Sequence, residues 1–341
     1  GHAPSFASAS PYTTHHARRR LPALDLNLPS TCNLVGHQPR EGVISAVVVF
    51  DEYGPPSVLH VIDVTVPTPE EGQILVRVKA AGVQPVDSLF RRGVLHAFAP
   101  ASFPQRLGNE FAGVVEVGGG GWSVGDEVLG LAERACYAEH VVVAAADVVA
   151  KPDGVPWAQA GALSASGQTA ASALEDLKVA NGDVLLVHAA AGGVGSMAVQ
   201  LARRRGATVI GTASPANHDY LRSLGAVPVP YVEGLLEAVR RAAPDGVTAA
   251  LDAIGTREAL EVSLVLTDRI GTLVSSPAAS ERGVPRLRPQ RSAGQLDLLV
   301  RMSAAGGLTV AISGSYPLAE AAAAHRRLEG GHVRGKLVVT P

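Results

Sequence analysis

The sequence predicts an α/β protein in which a doubly wound parallel sheet is joined to a second, β-rich region. Three observations carry that expectation. The stretch Asp183–Ser214 reads DVLLVHAAAGGVGSMAVQLARRRGATVIGTAS. It holds an apolar run (Val184–Val187), a glycine-rich turn (Gly192-Gly193-Val194-Gly195), an apolar-patterned segment (Met197, Val199, Leu201, Ala202) and a second apolar run (Ala207–Gly211). Strand, turn, helix and strand in that order form one βαβ unit of the kind that binds a dinucleotide. Helical and strand-like patterns then alternate as far as Ser275, which implies a parallel sheet. From Val43 to Ala150, by contrast, short strands follow one another with turn residues between them, the signature of a small barrel-like β region.

In order, the β-rich region offers Ser45–Phe50, Val58–Val64 and Gln73–Ala80, whose QILVRVKA alternates with the strand period. Gly113–Val117 and Glu127–Leu129 are short strands separated by Gly118–Gly121, and Tyr137–Val143 and Asp147–Ala150 complete the set. After Lys151, Trp157–Ser164 and Thr169–Leu177 read as helices. The βαβ unit is followed by a helix at Asn217–Leu224, a strand at Val227–Val229 and a helix at Leu235–Ala243. A strand at Ala249–Ala253, a helix at Arg257–Val265 and a strand at Gly271–Ser275 come next. The tail adds a strand at Leu308–Ala311, a helix at Pro317–Leu328 and a strand at Lys336–Thr340.

The glycine turn lets the backbone approach a pyrophosphate. The helix that begins near Val194 presents unpaired N–H groups and a partial positive charge of about half a unit. The turn fits AxGxxG, with Ala190 in place of the first glycine of the common pattern. The same residues would also make a tight strand-to-helix turn with no ligand; the flanking strand, helix and strand favour binding. A site that prefers NAD places Asp or Glu about 20 residues past the turn, on the ribose 2′-OH. Here that region is Gly211–His218, and no acid occurs before Asp219. Ser214, Asn217 and His218 can donate hydrogen bonds there and Arg222 adds charge, which favours NADPH. Ser214 followed by Pro215 is equally an ordinary helix start.

The 341 residues suffice for a sizeable core and two domains. Apolar residues make up 47% and charged ones 18%, which is globular rather than disordered. A formal net charge of −2, with no basic stripe, gives no reason to expect nucleic acid. No apolar run reaches the roughly 18 residues of a membrane span, so no membrane partner is expected. The two cysteines, Cys32 and Cys136, lie far apart. A disulfide framework or a zinc site of cysteines is excluded by count, and a cytoplasmic, reducing location fits. Residues 1–44 stand apart, with Ser, Thr, Pro, His15-His16 and Arg18-Arg19-Arg20 and little periodicity. They read as a flexible extension with no catalytic role, and Gly1-His2 looks like a cleavage scar.

Several strings now add up: AAGVQPVDSLFRRG (Ala80–Gly93), LGNEFAGVVEVG (Leu107–Gly118), VGDEVLG (Val124–Gly130), LSASGQTAASAL (Leu163–Leu174), HAAAGGVGSMAVQLA (His188–Ala202), LDAIG (Leu251–Gly255) and LEGGHVRGKLVVTP (Leu328–Pro341). Through them the chain resembles the medium-chain dehydrogenase/reductase superfamily over nearly all of residues 45–341. Within it, the resemblance is to the zinc-independent quinone oxidoreductase and enoyl reductase branch. It implies a groES-like catalytic domain over residues 45–162, completed by 300–341. A Rossmann NADPH-binding domain over 163–299 is inserted between them, with the active site in the cleft. It also implies a homodimer formed through the Rossmann edge strand, near Gly271–Ser275.

Zinc-dependent alcohol dehydrogenases of that superfamily hold the metal with three protein ligands and leave one position open. The matching positions here are Gln84, Asn109 and Ala165. None is a usual zinc ligand, the structural-zinc cysteine loop is missing, and no metal is expected. Without a metal to polarise an alcohol, the remaining chemistry is hydride delivery from NADPH to an electron-poor carbon. A quinone, or the β-carbon of an α,β-unsaturated ketone or thioester, accepts it while the protein orients the partners and excludes water. Two alternatives stay open. One is a pathway-specific enoyl-thioester reductase of polyketide-type metabolism. The other is an NADPH-binding protein with little turnover, because no proton donor is evident.

By matching motif positions, the resemblance implies phosphate contacts from Gly192, Gly193, Val194 and Gly195. It places Thr169 near the nicotinamide, Ser214 and Asn217 near the 2′-phosphate, and Tyr231 on the adenosine side. Gly255 and Ser275 should border the cofactor from later strand ends, with Arg334 and Lys336 completing the cleft. Gln84 and Asn109 are expected in the pocket of a small-molecule substrate, where Gln84 keeps an amide able to hydrogen-bond a carbonyl. Asn217 stands where some relatives have Lys, and Leu89 and Leu95 where some carry tyrosines, which leaves an apolar pocket. Asp87 reads as a turn or helix cap, His188 as packing and Cys136 as a half-buried apolar residue. Trp157 reads as interface packing, and His325-Arg326-Arg327 as a solvated helix face.

Overall fold

The computed structural model describes residues 39–341, with side chains from Val43 onward. Residues 1–38, which hold most of the expected extension, lie outside the described residues. The first strand begins earlier than Ser45. In chain order the first half comprises β1 (Pro39–Phe50), β2 (His60–Pro67), β3 (Gln73–Val83), α1 (Pro85–Arg91), β4 (Gln105–Arg106), β5 (Glu110–Val117), β6 (Glu127–Leu131), β7 (His140–Ala144) and β8 (Val148–Ala150). Then come α2 (Trp157–Ala160), α3 (Ser164–Asp176), β9 (Val184–Val187), α4 (Gly193–Arg204), β10 (Thr208–Ala213), α5 (His218–Ser223), β11 (Val227–Pro230), α6 (Leu235–Ala242), β12 (Ala249–Asp252), α7 (Arg257–Leu266) and β13 (Ile270–Thr272). The remainder is α8 (Pro277–Glu281), α9 (Ala293–Ala304), β14 (Ile312–Pro317), α10 (Ala321–Glu329) and β15 (Lys336–Thr340).

The fold class is the expected one, α/β with a β-rich half and a doubly wound parallel sheet. That sheet runs β11-β10-β9-β12-β13, every pair parallel. The chain starts at β9 in the middle, winds out to β11, then returns to β12 on the other side. The reversal therefore lies between β9 and β12, where open α/β sheets bind ligands at the carboxyl ends of their strands. β9 is apolar throughout because both its faces are covered; Leu185, Leu186 and Val187 are fully buried. In the β-rich half, β1 pairs with β2 and β4, while a larger sheet runs β14-β15-β3-β5-β6-β8. β3 is its pivot. One edge of β3 pairs with β5, and the other is shared by β7 along Gln73–Arg77 and β15 along Ala81–Val83.

Several elements differ from expectation for identifiable reasons. The helix expected over Trp157–Ser164 breaks at Gly161, where the backbone presses on β3; a Cβ there would stand 2.5 Å from the Ala80 carbonyl oxygen. The strand expected at Leu308–Ala311 does not form. Gln200 of α4 takes its backbone groups instead, donating to Thr309 O at 3.0 Å and accepting from Thr309 N at 2.8 Å. The strand β13 ends at Thr272, and the place expected to form the dimer edge is already covered. Pro285–Leu287 runs beside it, with Thr272 N donating to Pro285 O (3.0 Å) and Leu287 N to Thr272 O (2.8 Å). Cys136 is fully rather than half buried, and Trp157 receives the Lys151 ammonium 4.4 Å from its ring centre.

His325 is the other correction. It lies on the inward face of α10, fully buried, while Arg326 and Arg327 are exposed. It meets α1 there. Ser88 Oγ and Arg91 Nε both approach His325 Nδ1, at 3.3 and 3.4 Å. The fully buried Arg91 also donates to the Gly54 carbonyl and to the Glu329 carboxylate. Arg91 thus fastens the tail helix to the first half. Arg91→Ala is expected to lower the unfolding free energy by about 3 kcal/mol in urea titrations. A loss below about 1 kcal/mol would mean that the pair behaves as an exposed salt bridge.

Candidate active site

The glycine turn leaves β9 through Ala189, a non-glycine residue with φ +54. Gly192 is the extended N-cap of α4, and no side chain among the described residues caps that helix. Its first turn therefore offers N–H groups to an anion, beside the backbone of Gly335, which bridges Gly192. Gly195 has no room for a side chain: a Cβ would lie 2.3 Å from Ala189 O and 2.8 Å from Ala190 Cα, so helix and strand pack backbone to backbone. At Gly193 a Cβ would meet Lys336 Cδ at 2.8 Å and Ser166 Oγ at 3.1 Å, which shows that α3 and β15 flank the turn. The tail also holds the turn directly, since Gly335 N donates to Ala191 O at 2.8 Å. A cradle that bare at the N-terminus of a helix fits a pyrophosphate-bearing cofactor.

Three predicted residues converge past the end of β10. Asn217 Nδ2 donates to Ser214 Oγ at 3.3 Å, and Arg334 Nε donates to Asn217 Oδ1 at 2.8 Å. Arg334 also donates to Ala216 O at 3.0 Å and lies 5.2 Å over the Tyr220 ring. Tyr231 joins this corner through its hydroxyl, 3.1 Å from His332 Nδ1. Arg334 thus brings a cation to the place where the sequence lacks an acid. Gly255, at φ +76, donates with Ile254 to the Asp252 carboxylate at the end of β12. It lies against Val274, which puts Gly255 and the exposed Ser275 on neighbouring strand ends. Thr169 sits half-buried on α3, one turn past Ser166.

The substrate corner is where β3 ends and β5 and β15 begin. Gln84 follows β3 as the N-cap of α1, and its backbone N–H donates to Asp87 Oδ2 at 2.9 Å. Its side-chain Nε2 is buried with no hydrogen-bond partner among the described residues. Asn109 beside it has its amide engaged at both ends. Nδ2 donates to Asp87 Oδ1 at 2.6 Å and Oδ1 accepts from Arg134 N at 3.0 Å, so both ends of its amide hold the protein together. Lys336 is likewise engaged. Its ammonium is 2.8 Å from Glu110 Oε1, and both groups are buried. The other oxygen, Glu110 Oε2, accepts from Ala165 N at 2.8 Å in the first turn of α3. Gly82 is needed beneath that carboxylate, since a Cβ would stand 2.2 Å from Glu110 Oε1.

Asp87 does more than cap a helix. Besides Gln84 N and Asn109 it accepts from Tyr137 Oη at 2.9 Å, and burial pushes its carboxyl up to about 6. The Tyr137 hydroxyl is raised well above its ordinary value, first by burial and then by the Asp87 charge, so it is not a ready proton donor. Sequence reasoning assigned no role to Tyr137, Glu110 or Arg91, although the strings AAGVQPVDSLFRRG and LGNEFAG contain Arg91 and Glu110 and the strand expected at Tyr137–Val143 begins at Tyr137. Zinc does not fit this corner. Its matching positions carry Gln84, Asn109 and Ala165, and among the described residues no group of three His, Cys, Asp or Glu could hold a metal ion.

Comparisons with known proteins agree with this geometry. Residues 70–153 match the family profile described as an alcohol dehydrogenase GroES-like domain, and residues 224–339 the one described as a zinc-binding dehydrogenase. The structure of the quinone oxidoreductase from Coxiella burnetii is similar at 33% identity, covering 88% of this chain and 100% of that one, with a TM-score of 0.77. The Escherichia coli quinone oxidoreductase complexed with NADPH is 26% identical, covers 87% of this chain and 100% of that one, and has a TM-score of 0.77. A polyketide synthase, GfsB of Streptomyces halstedii, is 45% identical over 160 residues, which is 46% of this chain but 3% of that protein.

The buried histidines set the pH response. Burial holds His188 down at about 4 and His325 at about 3. Unfolding returns both to about 6.5, so the unfolded chain takes up protons the fold refuses, and stability falls as pH drops from about 6.5 towards 4. Asp87 opposes this, because the folded carboxyl protonates at about 6, before the unfolded one, and relieves a buried charge. Two groups against one predict a net loss: the melting temperature should fall between about pH 7 and pH 5. Asp87→Asn should make that fall steeper. A second check is Gly195→Ala, expected to cost about 1–3 kcal/mol of stability and to abolish tight dinucleotide binding by calorimetry.

Proposed function

The chain belongs to the medium-chain dehydrogenase/reductase superfamily, in its quinone oxidoreductase branch, and we propose that it is an NADPH-dependent, zinc-independent reductase of quinones or α,β-unsaturated carbonyl compounds. Residues 45–162 with 300–341 supply the substrate side in this reading, and residues 163–299 the cofactor side. The observation that carries it is the buried amide donor of Gln84, which has no hydrogen-bond partner among the described residues. An unmade hydrogen bond of that kind costs about 1–3 kcal/mol. A substrate carbonyl oxygen would recover that cost, and more so as negative charge develops on it.

NADPH, when bound, supplies the hydride. Everything else falls to the protein. Gly192–Gly195 and the open end of α4 receive the phosphates, and Thr169 and Ser166 of α3 border the reacting end. Ser214, Asn217 and Arg334 receive the 2′-phosphate, with Tyr231, Gly255 and Ser275 along the dinucleotide. Asp87, Asn109 and Tyr137 fix the loop that aims Gln84, while Lys336 positions the turn through Glu110. With Tyr137 spent on Asp87, solvent supplies the proton that completes alkene reduction.

A second reading, reduction of an enoyl thioester, is favoured by the 45% identity to part of a polyketide synthase. The test is consumption of NADPH, in parallel with NADH, against a benzoquinone, a naphthoquinone, an alkyl enone and an enoyl thioester. Oxidation with NADPH preferred is expected, and the best acceptor separates the two readings. Gln84→Ala should lower kcat/KM about 10- to 100-fold, and Arg334→Ala should reduce the NADPH preference about tenfold. Binding of NADPH with no oxidation by any acceptor would overturn the reductase reading.

A further inference from the structure

β9 stops pairing with β10 at Val187, and the chain turns into the glycine loop through His188, Ala189 and Ala190. Three backbone donors hold that corner. His188 N donates to Leu251 O of β12 at 2.9 Å, Ala189 N to the Thr212 hydroxyl of β10 at 3.3 Å, and Ala190 N to Thr212 O at 3.0 Å. Between them Ala189 is held at φ +54, a conformation that a residue with a Cβ keeps only where its surroundings impose it. Its carbonyl then accepts from Gly192 N at 3.0 Å and lies 2.3 Å from where a Cβ on Gly195 would stand. The start of α4 is therefore placed by the peptide that Ala189 carries.

The imidazole of His188 is buried at this corner. Nδ1 stands 3.3 Å from Thr212 Oγ1, and Nε2 stands 3.0 Å from Ser263 Oγ of α7. These partners assign the protons. Thr212 Oγ1 accepts from Ala189 N–H, and His188 Nδ1 is the acceptor within reach of its own proton. The ring proton then sits on Nε2, donated to Ser263. Asp252, the carboxylate whose charge reaches the ring, is engaged elsewhere. Its Oδ1 accepts from Ile254 N and Gly255 N, and its Oδ2 accepts from the Thr272 hydroxyl at 2.6 Å. The ring therefore stays neutral, with one acceptor and one donor, both in use.

Resting on the cofactor half of the reading above, we propose that His188 is a positioning residue for the pyrophosphate cradle: by orienting the Thr212 hydroxyl it holds Ala189 in the left-handed conformation from which the glycine turn is built. With its proton drawn to the imidazole, the hydroxyl keeps a lone pair directed at Ala189 N–H. A leucine of similar volume would fill the space but leave the hydroxyl free to turn. The same ring ties the turn to α7, which starts two residues beyond Gly255. It lies across the reversal between β9 and β12, where both strand ends face the dinucleotide in that reading.

The test is calorimetric titration of the full chain with NADP+, with His188 and Thr212 replaced singly and together. His188→Leu and Thr212→Val should each weaken binding about tenfold. The double variant should be no weaker than either single one, because both remove the same link. His188→Asn, which keeps an acceptor at the place of Nδ1, should recover most of the affinity. Val239→Ala, at a fully buried position of α6, should lower the melting temperature and leave the affinity unchanged. Unchanged affinity in both single variants, losses that add in the double variant, or equal losses in His188→Asn and His188→Leu would overturn the proposal. If His188→Leu does not fold, Thr212→Val, which keeps the shape of its side chain, decides between loss and no loss. Hydrogen exchange of the free protein is read separately over Ala189–Gly195. Faster exchange there in the variants, with no NADP+ bound by the unsubstituted chain, removes the cofactor reading and keeps the positioning role. NADP+ binding by the unsubstituted chain, with neither affinity nor exchange altered by the substitutions, does the reverse.

Discussion

The Glu110 carboxylate is the constraint on which the site depends. One oxygen meets the Lys336 ammonium and the other the N–H of Ala165, so a single side chain joins β5, β15 and the first turn of α3. A carboxylate at a helix N-terminus is favoured by the helix dipole, and burial raises the stakes of both contacts. Gly82 is bare because that carboxylate passes over it. Lys336 in turn lies against Gly193, and its neighbour Gly335 hydrogen-bonds the glycine turn. The position of the turn relative to Gln84 is thus fixed through one buried charge pair.

The same economy explains which groups are left for chemistry. Asp87 absorbs Asn109, Tyr137 and the N–H of Gln84; Glu110 absorbs Lys336; Asp252 absorbs the N–H groups at the end of β12. Polar side chains that look catalytic in the sequence are spent on each other. Among the described residues, the amide Nε2 of Gln84 is buried without a hydrogen-bond partner, and no side chain caps α4. A preorganised site needs its supporting groups immobilised before its working groups can be aimed.

Much of the fold was legible because it rests on local patterns. The apolar run of β9, the AxGxxG turn and the period of β3 announce themselves within a few residues. The segment Pro285–Leu287 beside β13 was not legible, because Leu287, which covers Gly271, carries no signal linking it to that strand. Leu308–Ala311 looked like a strand, and only the side chain of Gln200, far away in sequence, explains why it is not. In the site, the gathering of Ser214 and Asn217 could be read locally, but the roles of Asn109 and Lys336 could not. Their partners, Asp87 and Glu110, become neighbours only when β3, β5 and β15 align. His325 was hidden for the same reason, since a helix face is solvent-facing or buried according to what packs on it.

The bond from Gly335 to Ala191 gives the site an order of assembly. Synthesis delivers β3 and the glycine turn long before β15. Until then the second half of one β3 edge lacks its strand partner, Glu110 lacks its lysine and the turn lacks its outer hydrogen bond. Domains generally fold as units while the chain is being made, N-terminal parts first. Here the parallel sheet can collapse early, but the cleft cannot close until the tail threads back between the halves. A premature stop anywhere in β15 would therefore leave a protein with its nucleotide sheet formed and its reacting corner open to water.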